Sequence, residues 1–382
     1  MPSRILMLCY EYPPLGGGGA RVIAGLCEAL QSDHDLKIDL VTMHFQGLQR
    51  LEKKATMTIH RVFTWRKDLS RCRAVEMIPY LATAAWRAMR LKRTSDYKLN
   101  HTNFIFPDGV VALAIKKLTG LPYIVTAHGS DVPGYNPDRF TRLHHLLSPL
   151  WKAVVRNADM IVCPSRTIEA LVRDKAPEAR TTIIPNAIDP CRFDATRPRQ
   201  DRVLLVSRLF QRKGAQYLIR ALAGMDLEID THIVGDGPYL PALKELARAE
   251  GVPVIFHGFL DNKSPDLRDL YETSRIFVFT SEAENFPVVL LEAMAAGCAI
   301  ITTDGTGCAE VVGDAARLVP PRDPQALRDA LSQLLADTTL CEDLGRRARE
   351  RVTRLFTWQV VAAQYRKLYA PHLRQPAQGK RP

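Results

Sequence analysis

Short apolar runs alternate with longer segments of helical periodicity along most of the chain, and this alternation predicts parallel sheets covered by helices. Runs of about four to eight apolar residues between turn formers are typical of buried strands. In the first half the predicted strands are Ile5–Cys9, Ile38–Thr42, Thr58–Phe63, Asn100–Phe106, Tyr123–Ala127, Met160–Pro164 and Thr181–Pro185. The helices predicted between them are Ala20–Ser32, Pro79–Arg93, Asp108–Thr119, Arg139–Asn157 and Arg166–Asp174.

The same alternation begins again after residue 200. The segment Ala187–Gln200 is rich in turn formers and contains Pro190 and Pro198, so we place a linker there. The strands predicted beyond it are Arg202–Ser207, Ile229–Gly235, Val254–His257, Ile276–Thr280, Ala299–Thr302 and Arg317–Val319. The helices predicted there are Gly214–Ala223, Tyr239–Glu250, Leu267–Ser274, Val288–Ala296 and Pro324–Ala336.

Two doubly wound α/β domains are therefore predicted, residues 1–190 and 200–355, followed by a last helix over 356–373. Ligands of open parallel sheets bind beyond the C-terminal ends of the strands. We expect both domains to present these ends to one cleft.

Composition supports a folded, two-domain chain. Its 382 residues are 46% apolar and 24% charged, which excludes a disordered chain and allows two domains of ordinary size. No run approaches the ~18 apolar residues of a membrane-spanning helix, and the run Ile5–Cys9 is too short for a signal peptide. We expect a cytoplasmic protein. Its eight cysteines form no C-x2-C pair, so we expect them to be reduced and several of them buried.

One stretch, Ser281–Gly297, combines a strand end, a loop and a helix start. The apolar run Ile276–Thr280 before it reads as a buried parallel strand. Pro287 suits the first helical position because its missing N–H costs nothing there. The helix Val288–Ala296 would then end at Gly297.

The start of this helix is a candidate anion site. Backbone N–H groups of Asn285 and Phe286 lie near it, where the helix dipole favours a phosphate. Glu284 lies on the loop and Glu292 about five residues into the helix, or ~8 Å along the axis. A carboxylate accepts two hydroxyl hydrogens at once, so the pair suits a sugar at one end and a ribose at the other. The alternative is two solvated surface residues, and the spacing alone does not decide between them.

Two other segments suit a phosphate group. The run Gly16–Gly19 follows the first strand and precedes a helix, and such a turn lets the backbone approach a phosphate closely. It lacks the residues of a nicotinamide fingerprint or a P-loop, and a flexible loop is the alternative. Arg208 ends the second domain's first strand and Lys213 precedes a helix, so together they can neutralise a diphosphate. Either cation alone would more often be solvated surface.

These segments resemble the retaining glycosyltransferases of family 4, which have the GT-B fold. The resemblance rests on the E-x7-E spacing of Glu284 and Glu292 and on the Arg-x4-Lys-Gly element that begins at Arg208. The family fold has two Rossmann-like domains facing across a cleft and a C-terminal helix that crosses back to the first. Looser matches are Pro185–Asp189, Gly235–Pro238 and Thr306–Glu310, where Ala187 and Thr306 stand in place of a family glycine.

The resemblance implies a nucleotide-diphospho-sugar donor and a glycan or lipid-linked acceptor. The implied catalytic residues are His128, Glu284, Arg208 and Lys213. The implied donor contacts are Gly17, Gly18, Arg208, Lys213, Gly235, Glu284, Asn285, Phe286 and Glu292. The implied acceptor contacts are Gly16 and Asp131.

Within this scheme, His128 follows a strand tip and matches a family histidine close to the reacting sugar carbon. We expect it to orient the donor through a sugar hydroxyl rather than act as a general base. We expect Asp108 to cap a helix. Asp33-His34-Asp35 has the D-x-D form of metal-dependent sugar transferases, but it precedes the second strand, at the wrong edge of the sheet. We read it as a polar turn and expect no metal cofactor.

Positive charge is concentrated in the first half. The chain carries a net charge of +11, and residues 1–195 hold 27 Lys and Arg against 18 Asp and Glu. This excess suits an anionic membrane, an anionic acceptor or nucleic acid, or serves only solubility. We expect no nucleic acid partner.

The segment Arg66–Arg93 is a candidate for peripheral binding to an anionic membrane. It holds eight basic and two acidic residues. Its basic residues Arg87, Arg90 and Arg93 are expected to lie largely off the apolar face. The apolar face is expected to hold Leu81, Ala82, Ala85, Trp86 and Met89. A helix packed in the core with a solvated basic face is the alternative.

The hypothesis is therefore a retaining glycosyltransferase of cell-envelope polysaccharide or glycolipid synthesis. Two alternatives remain open at this point: a sugar-nucleotide epimerase on the same fold, and a non-catalytic module that binds a sugar nucleotide or a lipid. Turnover of donor without an acceptor would favour the first. Donor binding without transfer would favour the second.

Overall fold

A computed structural model describes residues 2–32, 35–69, 72–135, 141–225 and 229–374. Asp33 and His34 of the D-x-D segment lie outside the described residues. The chain divides into two compact units, Met1–Asn186 with Trp358–Pro382, and Ala187–Thr357. The C-terminal helix, Trp358–Leu373, is therefore part of the first unit.

The first unit is built on an eight-stranded sheet with the order β3-β4-β2-β1-β5-β6-β7-β8. All neighbouring strands are parallel except the pair β3 and β4. Strands β1 to β8 are Ser3–Leu8, Leu36–Met43, Leu51–Lys54, Met57–Val62, Tyr97–Asn103, Tyr123–Thr126, Met160–Cys163 and Thr181–Ile183. Helices α1 to α5 are Gly18–Leu30, Ala74–Thr94, Asp108–Thr119, Thr141–Asn157 and Arg166–Lys175.

The second unit is built on a six-stranded parallel sheet with the order β11-β10-β9-β12-β13-β14. Strands β9 to β14 are Gln200–Val206, Asp230–Val234, Ile255–Gly258, Ser274–Phe279, Ala299–Thr303 and Arg317–Val319. Helices α6 to α12 are Ala215–Leu222, Leu240–Ala249, Pro265–Thr273, Val288–Ala296, Gly307–Val312, Pro324–Ala336 and Thr338–Leu355. The prediction of an α/β fold with two parallel, Rossmann-like sheets is confirmed.

Several boundaries differ from the sequence prediction for local reasons. Strand β5 ends at Asn103, three residues early, because Phe104 has a φ of 74° and cannot continue a strand. Helix α2 begins at Ala74 and contains Pro79, which the sequence prediction placed at the helix start. The antiparallel strand β3 and helices α10 and α12 were not predicted, because each is short or polar. All eight cysteines are free and six are buried, as expected.

A buried polar network joins the C-terminal helix to the first sheet. Tyr369 shares a hydrogen bond of 2.7 Å between its hydroxyl and Nδ1 of His101, and Nε2 of His101 shares one of 2.9 Å with Thr126. The Tyr365 hydroxyl lies 3.2 Å from the Thr126 hydroxyl. Burial lowers the pKa of His101 to about 3, so the ring is neutral and one of its nitrogens can accept.

The C-terminal helix also packs directly on α1 at a glycine. A Cβ built on Gly25 would lie 2.1 Å from the Trp358 ring, so only glycine allows this approach. We expect Gly25→Ala to lower the free energy of unfolding by about 1–3 kcal/mol, the usual cost of overpacking a packed interface. Chemical denaturation measures this change.

Shortening the tryptophan provides the control. Trp358→Leu combined with Gly25→Ala should recover part of the stability that the alanine removes, because it vacates the space that the new methyl group needs. Additive losses in the double variant would show that the two residues are not in contact.

Candidate functional site

In the second unit, the loops after β9 and β12 are bonded to each other at the C-terminal edge of the sheet. The Thr280 hydroxyl donates to the Gly214 carbonyl at 3.0 Å, and the Glu282 N–H donates to the Arg212 carbonyl at 2.9 Å. Gly214 has a φ of +80°, and a Cβ there would lie 2.1 Å from the Thr280 carbonyl oxygen. A glycine is therefore required for the two loops to come this close.

This contact brings Lys213 against Glu284, 71 residues further along the chain. Nζ of Lys213 donates to Oε1 of Glu284, and the two side chains are 16% and 8% exposed. The ammonium also lies 5.8 Å from the centre of the Phe279 ring. A cation and a carboxylate shielded from water offset, by their contact, part of the cost of removing each charge from solvent. The sequence predicted both residues for the site but not their contact.

Arg208 lies at the tip of β9, and its backbone is enclosed by the turn after β10. A Cβ on Gly235 would lie 1.8 Å from the Ser207 carbonyl oxygen. The Leu209 N–H donates to the Asp236 carbonyl at 2.9 Å, so the turn contacts the residues on both sides of Arg208. Its guanidinium carbon lies 5.7 Å from the centre of the Phe210 ring, and the side chain is exposed.

The loop after β12 leads into α9, which is buried from Leu290 to Ala296 and is apolar there except for Glu292. Pro287 precedes the helix instead of occupying its first position, which corrects the prediction by one residue. Gly297 ends the helix with a φ of 78°, as predicted. Asn285 and Phe286 are buried, and the Phe286 ring packs edge-on against a core phenylalanine.

The segment Thr306–Glu310 lies directly on the Glu284 loop. The Gly307 N–H donates to the Glu284 carbonyl at 3.0 Å, and a Cβ on Gly307 would lie 1.6 Å from the Asn285 carbonyl oxygen. Thr306, where the family pattern has glycine, caps α10 by accepting from the Cys308 N–H at 3.1 Å. The departure from the pattern is thus compatible with the local structure.

Glu292 is buried and has two partners that the sequence did not indicate. Its Oε1 accepts from the Asn262 amide and its Oε2 from the Tyr271 hydroxyl, both at 3.0 Å. Burial, and then the adjacent Glu292 carboxylate, raise the pKa of Tyr271, so the phenol remains a donor. These bonds fix the direction of the carboxylate. The ribose contact that the resemblance implies for Glu292 stays a prediction.

In the first unit, His128 lies at the same sheet edge as the glycine-rich turn. A Cβ on Gly19 would be 3.5 Å from Nδ1 of His128, and the imidazole packs on the Phe104 ring with centroids 4.3 Å apart. His128 is half-buried as a residue, and desolvation lowers the pKa of its imidazole to about 3. A neutral imidazole can donate and accept hydrogen bonds but is a weak base at neutral pH.

Asp131 positions the backbone around His128. Its carboxylate accepts from the N–H groups of Ile105 at 2.7 Å and His128 at 2.9 Å. The side chain is 6% exposed, and burial raises the pKa of this carboxyl to about 6. The structure therefore shows a positioning role, and the acceptor contact implied for Asp131 stays a prediction.

The glycine-rich turn begins the first helix earlier than predicted. Helix α1 starts at Gly18 with Gly17 before it, and Gly16 has a φ of +91°. The Gly16 N–H donates to the Leu69 carbonyl at 2.8 Å. Gly16, Gly17 and Gly18 thus lie where β1 passes into α1, the position at which a backbone can approach a phosphate.

Asp108 does not cap a helix, contrary to the prediction. It is the first residue of α3, fully buried, and it accepts from the Tyr80 hydroxyl and from the Tyr10 N–H. Burial raises the pKa of this carboxyl well above its usual value. The residue joins α2, α3 and the segment after β1. Over the described ranges, no group of three or more His, Cys, Asp or Glu side chains is placed to hold a metal ion.

Gly307 offers a test of how the second-unit loops pack. We expect Gly307→Ala to displace the Glu284–Asn285 backbone, because the added methyl group would meet a carbonyl oxygen that cannot move aside alone. The free energy of unfolding should fall by about 1–3 kcal/mol. Thermal and chemical unfolding measure it.

Thr306→Ser is the matched control, since it keeps the capping hydroxyl and adds nothing to the contact. It should unfold like the wild type. Equal stability of Gly307→Ala and wild type would show that the segment does not rest on the Glu284 loop.

Comparison with known proteins agrees with this architecture. Residues 16–192 match the family described as Glycosyltransferase Family 4, and residues 192–351 match Glycosyl transferases group 1. The chain is 28% identical to glycogen synthase of Mycobacterium tuberculosis, over 96% of this chain and 94% of that protein.

Two solved structures share the fold. Sucrose-phosphate synthase from Thermosynechococcus elongatus superposes with a TM-score of 0.81 at 24% identity, covering 97% of this chain and 98% of that one. Anabaena HepE in complex with UDP and glucose gives a TM-score of 0.75 at 18% identity, covering 97% of this chain and 100% of that one. The chain therefore belongs to the family 4 glycosyltransferases and has the GT-B fold.

Proposed function

We propose that this glycosyltransferase moves a sugar from a nucleoside diphosphate to a hydroxyl of a glycan or lipid-linked acceptor, with retention of the anomeric configuration. The observation that carries the proposal is the shielded contact between Lys213 and Glu284. This contact sets a cation beside a carboxylate at a sheet edge where ligands of parallel sheets bind, and in the proposal that carboxylate binds the sugar.

Charge on the leaving diphosphate is the main quantity that the second unit would control. Arg208 and Lys213 supply two positive charges from the loop after β9, and groups held in advance stabilise developing charge without reorganising. In the proposal, the backbone of Asn285 and Phe286 adds N–H dipoles at the start of α9. Glu284 would then hold the sugar hydroxyls, and Glu292, fixed by two hydrogen bonds, would accept from the ribose.

The first unit would supply neutral hydrogen-bonding groups. With a pKa of about 3, His128 is uncharged at neutral pH, which supports a role in holding a sugar hydroxyl rather than removing its proton. Gly17 and Gly18 would line the diphosphate, and Gly16 the acceptor. Asp131 would act mainly by holding the backbone of His128.

Retention would follow from attack on the face that the diphosphate leaves. The acceptor hydroxyl would form the new C–O bond as the old one breaks, and its proton would pass to a phosphate oxygen. Glu284, the carboxylate that the proposal assigns to the sugar, is paired with Lys213 and is thereby a poor covalent nucleophile. The two cations do the neutralising, so the proposal requires no metal ion.

The donor base and acceptor class are further parts of the proposal. HepE was crystallised with UDP and glucose, which supports a UDP-linked hexose as the first donor to test. Glycogen synthase is named for a polysaccharide product, which supports a glycan acceptor. We place the activity in the synthesis of envelope polysaccharide or glycolipid.

The two cations can be tested through slow hydrolysis of the donor, which needs no acceptor. We expect Arg208→Ala and Lys213→Ala each to lower kcat/KM for UDP-sugar hydrolysis by roughly 100-fold, or ~3 kcal/mol of transition-state stabilisation. UDP should raise the melting temperature of the wild type, and less so that of each variant, by mass action.

Arg220→Ala removes an exposed cation from α6 of the same unit and should behave as wild type. Arg208 is itself exposed, so its loss should change the reaction without changing the unliganded melting temperature. Wild-type hydrolysis in Arg208→Ala would remove this residue from the proposed site.

Stereochemistry tests the proposed mechanism separately. With an α-linked donor and a range of hydroxyl acceptors, we expect an α-linked product, read from the anomeric coupling in NMR spectra. A β-linked product would contradict retention. An epimerised donor in the absence of acceptor would identify an epimerase instead.

A further inference from the structure

Helix α2 carries apolar and basic side chains on a largely exposed face, on which Met89 is half-buried. We call this face the α2 stripe. Three of its apolar members are strongly exposed: Val75 at 59%, Ile78 at 62% and Trp86 at 62%. Its members recur every three to four residues, the spacing of one helical face. They are Val75, Ile78, Ala82, Trp86, Met89, Arg90 and Arg93.

The opposite face of α2 is the one that packs on the unit. Tyr80, Ala84 and Ala88 are fully buried there. Arg87 also turns inward, with its guanidinium 2.8 Å from Nδ1 of His60. The helix therefore packs on the unit through a face other than the α2 stripe.

The basic residues lie differently from the sequence prediction. Arg90 and Arg93 were expected off the apolar face, but they line one surface depression with Ala85, Trp86 and Met89. The Arg90 guanidinium lies 5.5 Å from the centre of the Trp86 ring, a cation–π distance. Cations and the indole are thus mixed on the α2 stripe.

The exposed charges of α2 at this surface are all positive, although Asp68 is exposed in the segment before the helix. The single acidic residue within α2, Glu76, is buried and accepts from the Arg73 N–H at the helix start. Arg73, Arg90 and Arg93 are exposed. A protein partner would ordinarily meet a surface of mixed sign, whereas an anionic lipid surface matches basic groups around an indole and aliphatic side chains.

The segment that precedes α2 also exposes large apolar side chains. Phe63, Trp65 and Leu69 are 52%, 57% and 44% exposed. The Phe63 carbonyl accepts from the Thr83 hydroxyl of α2 at 2.9 Å, so this segment is bonded to the helix. Tryptophan and arginine at one surface are typical of proteins that lie in the headgroup region of a bilayer.

This surface is also bonded to the glycine-rich turn. Leu69 has an exposed side chain, while its carbonyl accepts from the Gly16 N–H at 2.8 Å. Arg66 is buried and donates to Glu11 at 3.0 Å, and the Glu11 side chain lies under Gly16. The turn is therefore held by the segment that carries the exposed aromatic residues.

We propose that the α2 stripe, with Phe63, Trp65 and Leu69, docks on an anionic lipid bilayer with α2 in the plane of the headgroups. The apolar side chains enter the headgroup boundary, and the cations meet lipid phosphates. Docking brings the Gly16 turn to the bilayer surface. The presence there of a lipid-linked acceptor, with its hydroxyl, rests on the proposed function. No helix in the described ranges is long and apolar enough to cross a membrane.

Vesicle flotation of the full chain tests the docking without any sugar donor. We expect binding to phosphatidylcholine vesicles containing about one third phosphatidylglycerol, and none to pure phosphatidylcholine. Arg90→Glu with Arg93→Glu, and separately Ile78→Ser with Trp86→Ala, should each weaken binding by about tenfold or more, since both charge and apolar burial contribute.

Matched controls carry equal changes elsewhere on the first unit. Lys117→Glu with Arg180→Glu reverses two exposed cations, and Leu118→Ser with Leu146→Ser removes two exposed leucines. Both should bind vesicles like the wild type. An equal loss in the controls would overturn the proposal, since it would show diffuse charge or general destabilisation.

Two further outcomes separate the alternatives. Absence of wild-type binding to anionic vesicles would overturn the docking. A wild-type dimer in light scattering that the Ile78→Ser, Trp86→Ala variant converts to a monomer would identify a second copy as the occupant, and would also overturn it. Retained UDP-induced thermal shifts in the α2 variants would show intact folding, and a wild type that binds vesicles but not UDP would refute only the proposed function.

Discussion

The contact between Lys213 and Glu284 is the interaction on which the second unit's site depends. Both groups are largely shielded from water, so each would be costly to bury without the other. Their contact requires the loops after β9 and β12 to touch, and Gly214 makes that possible because any side chain would meet the Thr280 carbonyl. Gly307 likewise allows its segment to contact the loop that carries Glu284, because any side chain there would meet the Asn285 carbonyl oxygen.

The two units use different chemistry at their sheet edges. The second presents charged groups, of which Arg208 remains exposed and Lys213 is paired. The first presents groups whose pKa values are shifted by burial, because desolvation disfavours the charged form. The pKa of His128 falls to about 3 and that of Asp131 rises to about 6. Such a division suits the proposed reaction, in which negative charge develops on the leaving diphosphate while the sugar and the acceptor hydroxyl must only be oriented.

Most of the fold could be predicted because parallel strands buried on both faces read as continuous apolar runs. The runs that became β1, β6 and β12 were found with both ends within two residues of the observed strands. The features that the prediction missed are polar ones. Strand β3, Leu51–Lys54, is mostly charged and is held to β4 by backbone pairing and a Glu52–Arg61 ion pair, so its sequence carries no apolar signal. Asp108 was predicted to cap a helix because aspartate is common at that position. It is instead a buried hydrogen-bond acceptor, because the Tyr10 N–H and the Tyr80 hydroxyl donate to it from distant segments.

The sequence by itself determined the order of strands and helices, the position of the strand-tip loops, and the residues there whose chemistry suits an anion and a sugar. These follow from periodicity and spacing, which are local properties. Only the tertiary structure decided which of those residues touch, which ones are shielded, and which face of α2 remains exposed. The contact between Lys213 and Glu284 joins segments that are far apart in the chain, and the lowered pKa of His128 comes from burial by such segments. No local sequence pattern encodes how closely distant segments approach each other.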